Sequence, residues 1–354
     1  MPPIVSTSIR VDKERRTVEL DDGRQVRLDP EDPRSEGYAS ILEGLSELGR
    51  PVYLELDPQT SAIQLLLIPH VARVATITPT DEGLSVEIDP SHARHVLPRG
   101  AANFEDLERG LREAASSRDP IILTETDSHE IIDVRPYRPS PEGPPLPLPE
   151  RKLPRPRPWP WPWIEWFLWW LCWPWWWWFR CTSQAQAQQA FAAMSATTCD
   201  PTTVPPLCIP FMFPDNGCWA RAHEMCRLMI NMGLSPRKVW ISGTLHAATR
   251  NNPQCFVNWA WHVAPTLCVR GPRFFQTQRM VIDPSLMTGP ATEAAWKGVQ
   301  GDPSATLTHT AASDYYWGST DPTYTQTNAD LATYRLALKN RSLQVGPPPY
   351  ANCP

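Results

Sequence analysis

The chain has 354 residues, a formal net charge of −5, 41 prolines, 17 tryptophans and nine cysteines. That length accommodates two domains, and the weakly acidic balance leaves no global basic signal for nucleic acid. Proline and tryptophan both exceed ordinary usage, and every cysteine lies at or after Cys172, an asymmetry that points to two modules of different character.

Residues 1 to 137 read as a small β-rich domain. Thr17-Val18-Glu19-Leu20 and Gln25-Val26-Arg27-Leu28 flank Asp21-Asp22-Gly23, which is a hairpin with an Asp-Gly turn. Further strands are expected at Val52 to Leu56, Ile63 to Ile68, Leu84 to Ile88 and Ile121 to Thr124. Asn103 precedes a helix that carries Leu107 and Leu111 on one face. No nucleophile constellation stands out here, so the stretch is read as a binding or regulatory module. His92 and His95 are bracketed by Pro90 and Pro98. They are expected in a surface loop and are given no role.

Residues 138 to about 158 are Pro-rich and cannot hold a helix or a central strand. They suit a semi-rigid polyproline II spacer or a disordered low-complexity linker. The run leads into eleven tryptophans between Trp159 and Trp178, with Arg151, Lys152, Arg155 and Arg157 before them and Arg180 after. The length approaches that of a membrane span, but tryptophan favours the headgroup interface. Interfacial membrane binding, a true span and a packed protein–protein segment all fit. The start Met1-Pro2-Pro3-Ile4 lacks the basic and then apolar run of a secretory signal, and localisation is left open.

The chemistry concentrates further on. Asp215-Asn216-Gly217 is a turn and capping run, after which Cys218, Ala222, Met225, Leu228 and Met229 recur at helical spacing up to Gly233. Cys218 then falls in the first turn of a helix of about four turns. There, unpaired N–H groups and the helix dipole favour a thiolate. The run Phe256 to Val263 and the run Gln278 to Asp283 read as strands, the second stopped by Pro284. Pro265 lacks a backbone donor, so the first of these strands is expected at an edge or to end early. Cys218, His262 and Asp283 thus supply a thiol, an imidazole and a carboxylate in the order of a Cys-His-Asp acyl-transfer site. Taken singly, each has a plainer reading: an inert buried cysteine, a satisfied core histidine and a turn former before proline. Trp219, Trp259 and Trp261 fit either a groove wall or an ordinary core.

Three runs, Gly217-Cys218-Trp219-Ala220-Arg221-Ala222-His223, Trp259-Ala260-Trp261-His262-Val263 and Ile282-Asp283-Pro284-Ser285-Leu286, resemble the bacterial protein-glutaminase (protein deamidase) family, apart from an aromatic swap at Trp219. The resemblance covers roughly residues 210 to 340. It implies hydrolysis of the side-chain amide of protein-bound glutamine, with Cys218 as nucleophile, His262 as general base and acid, and Asp283 as the orienting carboxylate. The implied fold class is α+β, a papain/transglutaminase-like catalytic domain over 181–354 preceded by the β-rich domain and a Pro/Trp-rich linker over 138–180. The implied partner is a protein or peptide bearing glutamine. Some members of the family are made with an N-terminal pro-region that covers the site, a role open to residues 1–137.

Cys199, Cys208, Cys226, Cys255, Cys268 and Cys353 could form disulfides and leave Cys218 free. No C-x-x-C pair suggests zinc, and no phosphate loop or cofactor motif appears, so neither cofactor nor metal is expected. A transglutaminase, a cysteine peptidase and a non-catalytic membrane-binding protein remain as alternatives.

Overall fold

The computed structural model describes residues 2–6, 8–139, 146, 148–149, 151, 181–273 and 275–354. The Trp159–Trp178 segment and most of the Pro-rich run lie outside these residues. Among the described residues no helix is long and apolar enough to cross a membrane. The fold is mixed, with several antiparallel sheets and six described helices.

The expected hairpin forms between the strands Thr17–Leu20 and Gln25–Arg27, with Val18 opposite Val26. Alternation turns Val18, Leu20 and Val26 inward. They share a core with Val52 and Leu54 of the strand Val52–Leu56 and with Ile41, Leu42 and Leu45 of the helix Ser35–Glu47. A second core lies between a five-stranded sheet and the helix Phe104–Ser117, whose Leu107, Leu111 and Ala114 face inward.

The C-terminal half is built on another five-stranded sheet. Its order is Ala291–Thr292, Thr277–Val281, Phe256–Arg270, Arg237–Ala248, Thr306–Ala311, with antiparallel neighbours throughout. The helix Cys218–Asn231 lies on one face and is buried through Cys218, Trp219, Ala222, Met225 and Met229. The helix Thr325–Val345 packs against it and also against the N-terminal helix Ser35–Glu47. Gly37 makes that second contact possible, since a Cβ there would stand 2.3 Å from Leu343 Cδ1. Ion pairs join the halves as well: Arg50 with Asp330 at 3.0 Å, and Arg341 with Asp127 at 2.8 Å, while Arg341 also holds Asp215 of its own half at 2.5 Å.

Three expectations change. The strand bearing Pro265 is neither at an edge nor short, because Phe256–Arg270 is the middle strand of its sheet. Pro265 O accepts from Ile282 N at 2.9 Å. A strand residue aims its N–H and C=O at the same neighbour. The missing donor therefore faces the neighbouring strand just past its end at Val281, where little ladder is lost.

His92 and His95 are fully buried. His95 begins the strand His95–Pro98, and His92 lies on a segment paired alongside the middle strand of the C-terminal sheet, a contact that local pattern does not reveal.

The disulfides are Cys181–Cys268, Cys199–Cys208 and Cys255–Cys353, so Cys226 is free and Cys181 is paired. Thr182 N donates to Cys268 O at 2.8 Å, which brings Cys181 alongside its partner. Cys226 is held instead on the buried face of its helix.

Candidate active site

Cys218 opens the helix Cys218–Asn231, and Gly217 is its N-cap at φ +81°. Few L side chains adopt that conformation, and a Cβ at Gly217 would stand 2.3 Å from Tyr334 Cδ2. Glycine therefore lets the chain turn hard against the helix Thr325–Val345. The preceding loop is clamped from below. Buried Arg221 donates through Nη1 to Phe213 O at 2.9 Å and to Asn216 O at 2.5 Å, and Asn216 Oδ1 accepts from Gly217 N at 3.0 Å.

His262 projects from the middle strand, where it pairs with Ile241. Its ring stacks on Trp259 with centroids 4.5 Å apart. Its Nε2 lies 2.9 Å from Asp283 Oδ2. Asp283 follows the end of the strand Thr277–Val281 and is held by two further donors, Trp296 Nε1 at 2.8 Å and Ser285 N at 3.1 Å. Burial alone would raise the Asp283 pKa, but His262 and the Trp296 N–H hold its carboxyl below the ordinary value. A carboxylate accepts and does not donate, so His262 Nε2 carries a proton. The His262 Nδ1 is buried without a hydrogen-bond partner.

The structure brings all three expected residues into one buried site, and it adds a fourth. Cys218 Sγ, His262 and His92 each offer a ligand atom within 4.8 Å of the others. His92 Nδ1 is 3.0 Å from Cys218 Sγ, and its Nε2 is 3.2 Å from Pro214 O. A carbonyl only accepts, so Nε2 carries the His92 proton and Nδ1 accepts from the thiol.

His92 arrives on an extended segment laid beside the middle strand. Ala260 N donates to His92 O at 2.8 Å, and Arg94 N donates to Asn258 O at 3.1 Å. Asn216 Nδ2 donates to Ser91 Oγ at 2.9 Å. Trp219, Trp259 and Trp261 are buried around the His92 ring, with centroids 6.3, 5.1 and 5.5 Å away. These tryptophans are therefore core residues that also wall the site.

The local charge state departs from the expectation for a helix N-terminus. Burial pushes the Cys218 thiol up to about 12, against the opposing pull of Arg221 and the Val263 backbone N–H. Burial likewise holds the His92 imidazole well below its ordinary value, helped by His262 and Arg221. Covered in this way, the pair is a neutral thiol on a neutral imidazole.

A second cluster lies nearby, between the halves of the molecule. His70 Nε2 and His129 Nδ1 reach Glu125 Oε1 at 2.9 and 3.0 Å, and His95 Nδ1 bonds to Glu125 Oε2. Here every ring nitrogen that faces the carboxylate is already used.

Sequence reasoning missed His92, Arg221, Asn216 and Trp296 as parts of the site. Arg221 sits inside the first motif, three residues after Cys218, which is a usable signal. Trp296 and His92 carry none.

Residues 187–300 match the family model described as glutaminase, a range that contains Cys218, His262 and Asp283. The fold is similar to that of pro-protein-glutaminase, at 21% identity and a TM-score of 0.50, covering 81% of this chain and 99% of that one. A mutant of pro-protein-glutaminase gives 20% identity and a TM-score of 0.51, covering 81% of this chain and 97% of that one. The protein-glutaminase from Chryseobacterium proteolyticum is 29% identical over 49% of this chain and 97% of its own length, with a TM-score of 0.40. No curated protein matches the chain. The family match supports the protein-glutaminase assignment that the motifs suggest.

Proposed function

We propose that this chain, of the protein-glutaminase family by its glutaminase match and its fold, hydrolyses the side-chain amide of protein-bound glutamine. The meeting of Cys218, His262 and Asp283 in one buried site carries this reading, with the His262–Asp283 hydrogen bond of 2.9 Å fixing the tautomer. In the uncovered enzyme His262 Nδ1 takes the Cys218 proton, and the thiolate attacks the carboxamide carbon. The Cys218 backbone N–H, at the start of its helix, is aimed to receive the developing oxyanion. The imidazolium returns its proton to the nitrogen, ammonia leaves, and a thioester remains. Water, deprotonated by the same His262, releases glutamate and the thiolate. A helix N-terminus that carries the thiol against a sheet that carries the imidazole supports a papain/transglutaminase-like core over residues 181–354.

The N-terminal region, residues 1–137, acts as a covering pro-region. His92 occupies the space over the sulfur that a glutamine carboxamide must reach, so the two exclude each other. The likeness to pro-protein-glutaminase extends over 81% of the chain, a share too large for the catalytic segment alone. The tether through residues 138–180 raises the local concentration of the cover.

The test is ammonia release from a glutamine-rich protein without added amine, comparing the intact chain with one that starts at Cys181. Stoichiometric ammonia, a mass gain of about one unit per glutamine, and neither cross-link nor chain cleavage are expected from the shorter chain. Cross-linking or cleavage instead would replace the reading by a transglutaminase or a peptidase. Equal rates from the two chains would remove the covering role.

A further inference from the structure

We propose that Cys218, His92 and His262 form a zinc site that staples the N-terminal segment across the catalytic centre. The inference rests on the covered arrangement described above, but not on the hydrolytic chemistry proposed for it.

The donor set comes first. A thiol and two imidazoles place one ligand atom each within 4.8 Å of the others. Tetrahedral zinc, with bonds of about 2.3 Å to sulfur and about 2.0 Å to nitrogen, sets its ligands roughly 3.3–3.6 Å apart. The Sγ to His92 Nδ1 separation of 3.0 Å needs to open by only a few tenths of an ångström.

The tautomers are set for metal. Zinc-ligating histidines nearly always donate their other N–H to a carboxylate or a backbone carbonyl. His262 does so to Asp283 Oδ2 and His92 to Pro214 O. In the neutral rings Nδ1 of each is thereby left as the nitrogen able to bind a metal. The His92 lone pair is met by the thiol proton, whereas His262 Nδ1 is buried with no partner. A buried orphan acceptor beside a thiol calls for an explanation, and a cation bound by all three atoms supplies one. Binding replaces the S–H bond by a Zn–S bond and releases that proton to solvent, with no change of oxidation state.

The site is split between the two halves of the chain. His92 precedes Cys218 by 126 positions, whereas His262 follows it in the catalytic sheet. Zinc bound to all three therefore stabilises the covered form over any form in which the segment 91–94 has left. In the neighbouring His95–Glu125–His129 group, by contrast, Nδ1 of each histidine is already spent on the carboxylate.

The intact chain, stripped of metal, is titrated with cobalt(II) as a visible stand-in for zinc. The expected result is one equivalent bound, with the thiolate charge-transfer band and intense tetrahedral d–d bands, displaced by one equivalent of zinc. Cys218→Ser, nearly isosteric, should abolish the charge-transfer band. His92→Ala, with its fold checked by circular dichroism, should weaken binding at least about tenfold. Three results overturn the proposal: no band on the folded intact chain, a thiolate band that survives Cys218→Ser and so belongs to another cysteine, or binding without such a band that Cys218→Ser leaves unchanged. The last would assign the metal to His95, Glu125 and His129. None of these outcomes bears on ammonia release by the metal-free shorter chain, so failure of the zinc site and failure of the hydrolase reading remain distinct.

Discussion

Removing residues 1–180 should change how fast Cys218 is alkylated, and the size of the change can be worked out. Burial raises the thiol from 9.0 to about 12 in the covered chain. Only the thiolate reacts. Three pKa units therefore leave about a thousandfold less thiolate than an ordinary cysteine has at neutral pH. The sign is that of an acid whose charged form is disfavoured, so labelling of the intact chain should rise about tenfold per pH unit from pH 7 to 10. With the segment 91–94 gone, the sulfur meets solvent and the free Nδ1 of His262, and an ion pair becomes available. Labelling at pH 7 should then speed up by about a thousandfold or more. Iodoacetamide labelling followed by peptide mass spectrometry measures this, with an internal reference on the same helix. Cys226 is also free and buried, and burial raises its thiol to about 11. It should stay slow in both chains. Equal labelling of Cys218 in the two chains would refute the argument that the N-terminal segment quenches the nucleophile. Parallel acceleration of Cys226 would mean instead that truncation had loosened the fold.

Activity in the shorter chain tests the triad: Cys218→Ala and His262→Ala should each remove ammonia release, and Asp283→Asn should lower kcat by about 10⁴ through the wrong His262 tautomer. Trp296→Phe deletes one donor to Asp283 Oδ2 while keeping the ring. A fall in kcat of about tenfold with little change in KM is expected, and an unchanged kcat would mean that Trp296 only packs. Gly217→Ala forces a side chain into φ +81° and against Tyr334. It should cost about 1–3 kcal/mol or more, read as a lower Tm of the intact chain. Arg341→Met leaves Asp215 buried without its cation and breaks the pair with Asp127. A loss of about 3–5 kcal/mol in urea unfolding is expected, and a change within error would show those contacts to be dispensable.

The segment that carries the proposed triad was legible because its signals are local. Helical spacing from Cys218 to Met229 and the stop at Gly233 foretold the helix Cys218–Asn231, and aromatic and β-branched runs foretold the strands around His262 and Asp283. The hairpin at Asp21-Asp22-Gly23 was equally plain. Pro265 misled because proline reports a missing donor but not which neighbour would have received it. The cysteines misled because pairing depends on which strands lie side by side: Cys181 reaches Cys268 only through the bridge of Thr182 with Val269.

By itself, the order of residues determined which groups are offered for the proposed chemistry and on which elements they ride, since periodicity, capping and turn chemistry act over a few neighbouring positions. Tertiary structure alone decided what those groups face. His92 lies 126 positions before the thiol it meets, between two prolines that suggest an exposed loop. It becomes part of the site because the strand Phe256–Arg270 offers Ala260 N and Asn258 O to an added segment, and because Pro214 O and three tryptophans receive its ring. Burial then sets the protonation of Cys218, and burial belongs to the assembled surfaces of both halves and to no stretch of chain taken alone.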